Sequence, residues 1–213
     1  MAASRRLVLS AAGAAALLAA PVARAARVLP PMTDGPFYPP ARWRQRFPDG
    51  GDWDADLTRN GSAAPARGEH LALRLDLRDT RGRAIDGAEV EIWQCDALRA
   101  YRHPSVSMAD GAFDPGFQGF GAGRSGADGA LRLRTIRPVP YPGRTPHIHV
   151  KLRHPTFGEL TSQLFVDGDP GNARDFLWRQ LDAEEQQALA MRLLPAEGDG
   201  LRWQAAQALV VPA

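Results

Sequence analysis

His147-Ile148-His149-Val150-Lys151-Leu152-Arg153 alternates polar and apolar side chains at every step. In a strand, successive side chains point to opposite faces. His147 and His149 then share one face, while Ile148, Val150 and Leu152 pack the other. The same period of two appears upstream, where Leu71, Leu73, Leu75 and Leu77 alternate with polar or small neighbours and Asp79-Thr80-Arg81-Gly82 supplies a turn. Residues 88–94, 131–136, 147–153 and 159–166 read as further strands, and 201–211 as a returning final one. A Gly-rich stretch, 111–129, reads as long loops. Many short strands separated by Gly/Pro turns predict an all-β fold, an antiparallel β-sandwich with long loops. One late helix is expected. Asp182-Ala183-Glu184-Glu185 is a capping-box start, Leu189 and 191–194 give an apolar side, and Pro195 stops it.

Two imidazoles side by side on a strand are half of a metal site. The chain has 3 tyrosines, and two of them, Tyr101 and Tyr141, fall near the histidines in a plausible sandwich. Two phenolates with two imidazoles form a hard, anionic set that suits Fe(III) better than zinc or copper(I). The bland reading of each tyrosine alone is ordinary packing with a bonded hydroxyl.

The ends and the composition narrow the function classes. Residues 1–25 hold a basic start (Ser4-Arg5-Arg6), a short Ala/Leu-rich run and Ala23-Arg24-Ala25, the pattern of an export signal cleaved near Ala25. The paired arginines suggest the twin-arginine type, with an ordinary Sec signal as the alternative. The apolar run is too short for a comfortable membrane span, so no stable anchor is expected and the mature protein is expected in the periplasm or outside the cell. Residues 26–67 read as an extended region wrapping the core, and 68–213 as the sandwich domain. Of the 26 basic residues three lie in the leader; the 23 that remain face 24 acidic ones, which leaves no basic stripe for nucleic acid. Cys95 is the single cysteine, which excludes an internal disulfide and reads as a buried thiol. Lys151 is the only lysine, read as composition bias without functional weight; His70, just before a strand, is expected to face solvent.

An ordered set of motifs carries a resemblance. It runs through Gly35-Pro36-Phe37-Tyr38, then Gly87-Ala88-Glu89-Val90-Glu91-Ile92-Trp93-Gln94-Cys95-Asp96, Tyr101-Arg102-His103, Phe120-Gly121 with Asp128-Gly129, and Arg134-Thr135-Ile136-Arg137-Pro138. It ends with Tyr141-Pro142-Gly143-Arg144-Thr145-Pro146-His147-Ile148-His149 and Gln163-Leu164-Phe165-Val166-Asp167-Gly168-Asp169. From about Thr33 to Asp169 the chain resembles the intradiol ring-cleavage dioxygenases, the protocatechuate 3,4-dioxygenase subunits more than the catechol 1,2-dioxygenases. The resemblance implies a non-haem Fe(III) site with Tyr101, Tyr141, His147 and His149 as ligands. It implies that Tyr141 leaves the metal when a catechol chelates and helps take a substrate proton. It places Arg144 where a cation stabilises anionic charge on the substrate, Gln163 beside the metal pocket, and Gly35, Pro36 and Tyr38 at the substrate mouth. The implied reaction inserts O2 between the two hydroxylated carbons of a catechol to give a cis,cis-muconate-type dicarboxylate; further copies of the chain are an allowed partner.

The chain departs from the family at two points. Tyr141 and His147 are six positions apart where relatives carry a longer insertion, and Gly143 stands where protocatechuate enzymes have a tryptophan. A more open pocket is expected. The competing readings are a transthyretin-like, non-catalytic binding sandwich with surface histidines, and a dioxygenase-like protein without turnover. The four-residue constellation separates the first of these from an enzyme.

Overall fold

Leu71, Leu73, Leu75 and Leu77 are all at most 1% exposed, because the strand that carries them has paired strands on both sides and its apolar face against a second sheet. Each such leucine contributes roughly 1.5–3 kcal/mol of burial. The structure is a computed structural model and describes residues 27–39, 53–61, 64–103, 105 and 112–213. The expected export signal, residues 40–52, and part of the Gly-rich stretch lie outside the described residues.

The strands, in chain order, are β1 (His70–Asp79), β2 (Glu89–Trp93), β3 (Phe120–Arg124), β4 (Ala130–Ile136), β5 (His147–His154), β6 (Gly158–Val166), β7 (Ala190–Met191), β8 (Leu194–Pro195) and β9 (Leu201–Val211). They form two sheets, ordered β4-β1-β9-β8 and β3-β2-β5-β6-β7. Ile148, Val150 and Leu152, all fully buried, meet the β1 leucines in one core. The all-β sandwich is therefore as expected. Its sheets are mixed rather than wholly antiparallel: β1 runs parallel to β9, and β6 parallel to β7.

Four local expectations change. The helix α1 covers Ala183–Leu189 only. Its capping box is present, with Asp182 accepting from the Glu185 backbone N–H, but Ala190 turns extended (ψ 108°) and Met191 joins β7 beside Val166. Met191 is fully buried there, and that burial overrides the apolar run's helical option. Within 111–129, Phe120–Arg124 is a strand: Gly121 and Gly123 have no side chain because Leu57, the Asp54 carbonyl and Leu131 pass too close, at 2.4–2.6 Å from where a Cβ would stand. His70 is the first residue of β1 and half-buried, with Nε2 2.9 Å from the Ala66 carbonyl. The strand predicted at 88–94 is shorter, Glu89–Trp93.

Candidate functional site

β5 lies between β2 and β6, so both neighbours contribute to its outer face. Opposite His149 stand Trp93 on β2 and Gln163 on β6. His147 and His149 are each 2% exposed, and their Nε2 atoms approach to 3.2 Å. His147 Nδ1 lies 2.7 Å from the Thr145 carbonyl, which can only accept, so Nδ1 carries the proton and Nε2 presents its lone pair. The Tyr101 hydroxyl is 3.5 Å from that same Nε2. Tyr141 closes the group: its ring centroid is 5.5 Å from both Tyr101 and His147. Two phenols and two imidazoles thus converge on one point. Among the described residues no three His, Cys, Asp or Glu side chains gather into a metal cluster, so a cation here depends on the phenols.

Electrostatics prepare this group for a cation. Burial, with the nearby Arg144 charge, pushes the His147 pKa down to about 4 and holds His149 well below its usual range. Both imidazoles are neutral, the form that ligates. Burial pushes the Tyr101 phenol well above 10, and Tyr141 is raised too, with Arg144 opposing the shift. Both phenols keep their protons until a strong positive charge arrives to stabilise the phenolates. The donor set fits a hard trivalent metal on this ground.

A pH dependence follows for the metal-free protein. Unfolded, His147 ionises near 6.5; folded, near 4. Between these values the unfolded state binds the proton that the folded state refuses. Stability is full above the unfolded value and falls as pH drops toward the folded one, by on the order of 3 kcal/mol. Melting temperatures of chelator-treated protein at pH 7 and pH 4.5 check this, and equal values would contradict a neutral buried His147.

Arg144 is held from two sides. Its Nε donates to Asp175 Oδ2 (2.8 Å) and a terminal NH2 to Gln163 Oε1 (2.6 Å), while the Gln163 amide donates to the Thr33 carbonyl (3.3 Å). Burial favours a protonated Asp175, but the Thr145 N–H and the Arg144 guanidinium outweigh it and keep the carboxyl below its ordinary value. A cleft of about 410 Å³ opens beside this pair, lined by Pro140, Gly143, Arg144, Arg174 and Asp175. Gly143 adds no wall: a Cβ there would meet nothing within 4 Å.

Of the residues expected at the substrate mouth, Gly35 lies against His149, with its Cβ position 3.4 Å from Cε1. Its φ of +70° is one that glycine adopts without strain. Pro36 is exposed. The Tyr38 hydroxyl is committed elsewhere: it donates to Glu91 (2.7 Å) and accepts from Arg153 (3.0 Å), with its ring edge on Trp93. Sequence reasoning missed Asp175, Phe37, which stacks on Tyr101 at 4.5 Å, and the stacking of Trp93 on His149 at 4.7 Å. Opposing strand positions could have suggested Trp93. Cys95 is buried, and burial pushes its thiol up to about 12, which makes it inert.

Comparison with known proteins gives three kinds of match. The family model Dioxygenase_C, described as Dioxygenase, matches residues 44–199, well over half of the chain. The chain is 35% identical over 136 residues to the protocatechuate 3,4-dioxygenase beta chain of Burkholderia cepacia, covering 60% of this chain and 57% of that one. It is 29% identical over 130 residues to a hydroxyquinol 1,2-dioxygenase of Corynebacterium glutamicum, covering 51% and 40%. The chain thus spans about half the length of these curated relatives. Among solved structures, the dioxygenase domain of a dioxygenase carbohydrate-binding protein fusion from Streptomyces sp. SirexAA-E matches with a TM-score of 0.65 at 28% identity, over 88% of this chain and 99% of that one. An intradiol ring-cleavage dioxygenase from Tetranychus urticae matches in fold, with a TM-score of 0.64 at 19% identity over 87% and 95%.

Proposed function

Because the chain belongs to the intradiol dioxygenase family, we propose that it is a non-haem Fe(III) enzyme that cleaves a catechol-type ring between its two hydroxylated carbons. Both atoms of O2 enter the product, a cis,cis-muconate-type dicarboxylate. The observation that carries this reading is the convergence of Tyr101, Tyr141, His147 and His149, with both imidazoles held neutral.

These four residues would hold the iron, which supplies a Lewis acid that favours the phenolate form of the tyrosines and of the substrate. The remaining work falls to the chain. Tyr101, 4% exposed and stacked under Phe37, is the fixed phenol. Tyr141 is less buried and sits in the turn closed by the Arg144 N–H on its carbonyl; as a phenolate it would accept the substrate proton at its oxygen and become the neutral phenol. Arg144, aimed by Asp175 and Gln163, presents a fixed cation where negative charge gathers on the substrate. Gly35 and Phe37 form a wall over the donors, and the bare Gly143 leaves the cleft beside Arg144 open to substituents. We further propose export by the leader, with the mature enzyme meeting its catechol in the periplasm or outside the cell.

Iron content and the visible spectrum of purified protein, before and after anaerobic catechol, test the reading. About one iron per chain and a broad phenolate-to-iron band that shifts with catechol are expected. Tyr101→Phe is expected to keep the fold, weaken iron retention and move the band. Colourless protein that gains no band on reconstitution with iron would overturn the proposal.

A further inference from the structure

The segment from Met32 to Tyr38 crosses the face that carries the donors and is tied down along its length. The Met32 N–H donates to the Thr161 carbonyl (2.8 Å), the Gln163 amide to the Thr33 carbonyl (3.3 Å) and the Thr161 hydroxyl to Asp34 (2.6 Å). Tyr38 anchors the far end through Glu91 and Arg153. Between these ties lie the two residues that meet the donors, Gly35 against His149 and Phe37 on Tyr101.

The cation at the middle of this strap is Lys151. Its ammonium is 2.7 Å from Asp34, 3.4 Å from Glu159 and 4.1 Å from the centroid of the Tyr38 ring. Its side chain is only 5% exposed, so little water can replace these partners. Two of the three, Asp34 and Tyr38, belong to the strap and flank Gly35 and Phe37. Lys151 stands two residues beyond His149 on β5, on the same face. One strand therefore sets both the imidazoles and the latch.

We propose that Lys151 is a positioning residue that latches the 33–38 strap over the donors and so fixes the wall of the substrate mouth. It touches neither substrate nor metal in this reading, and its kinetic part rests on the function proposed above. Removing the ammonium takes away the group that Asp34 and the Tyr38 ring share. Asp34 keeps its bond from the Thr161 hydroxyl, Tyr38 its bonds to Glu91 and Arg153, and the Met32 and Thr33 ties stay in place, so the strap loosens rather than detaches. The wall then breathes without the donors moving.

Lys151→Met keeps most of the stem and removes the charge. In this variant the backbone amides of Thr33, Asp34, Gly35 and Phe37 are expected to exchange hydrogen roughly tenfold faster, the size of one lost charge-assisted bond. KM for catechol is expected to rise by about the same factor with a smaller change in kcat, since the wall binds rather than reacts. Iron content and the substrate-free visible band are expected to stay as in the unmodified protein. Asp34→Asn should act in the same direction, and the double variant should be no worse than the worse single one. Unchanged exchange at 33–37 in either single variant, or fully additive effects in the double, would overturn the latch. If Lys151→Met does not fold, Asp34→Asn decides alone, because Asp34 is partly exposed and its loss leaves the fold intact. An unmodified protein that takes up no iron and turns over no catechol sinks the proposed function instead, while hydrogen exchange still reads the latch.

Discussion

Asp175→Ala is expected to cost about 3–5 kcal/mol of folding stability, because it leaves Arg144 as a nearly buried cation without its carboxylate. The carboxylate side chain is fully buried and takes the Arg144 Nε at 2.8 Å, the Thr145 N–H at 3.0 Å, and those of Leu177 and Trp178 at 3.0 and 3.1 Å. Alanine strands all four donors at once. Asp175→Asn keeps one acceptor and the shape, so about 1–3 kcal/mol is expected. Urea unfolding of the three proteins measures both. A loss below about 0.5 kcal/mol for alanine, the ordinary scatter of surface changes, would mean that the pair does not hold the turn.

His147→Ala is expected to reduce iron affinity by more than the roughly 10- to 100-fold that loss of an outer partner to a metal ligand brings. The imidazole is the hub of the donor group. Its Nε2 faces both Tyr101 and His149, and its proton is fixed on Nδ1 by Thr145. Alanine offers no lone pair, and the neutral phenols on either side have no reason to ionise without a cation held between them. Iron remaining after dialysis against a chelator, compared with that in Lys151→Met, reads the effect. Equal retention in the two variants would remove His147 from the site.

The sandwich was legible because its two central strands are written in period two. The leucines from 71 to 77 and the apolar set Ile148, Val150 and Leu152 can satisfy one buried face only as strands. His147 and His149 share a face by the same rule. Carried two steps further, that alternation places Lys151 and Arg153 on the donor face as well, where Lys151 pairs with Asp34. Other features left no local mark. Met191 is as good a helix residue as a strand residue, and only the vacancy beside Val166 decides. Gly121 and Gly123 look like loop glycines but are strand positions emptied for Leu57 and Leu131. Asp175 lies in an irregular turn whose partner is 31 positions away, so no spacing rule points to it.

The parallel pairing of β1 with β9 sets an order of events during synthesis. β1 is an inner strand, and one of its two neighbours is not made until residues 201–211. Until that stretch clears the ribosome, a nascent chain carries a leucine-rich strand with one bare edge, the kind of surface that chaperones hold and that aggregates form on. β2, β3, β5 and β6, with Tyr101, Tyr141 and both histidines, are complete far earlier. All four donor residues are therefore synthesised before the strand that closes the sheet behind them.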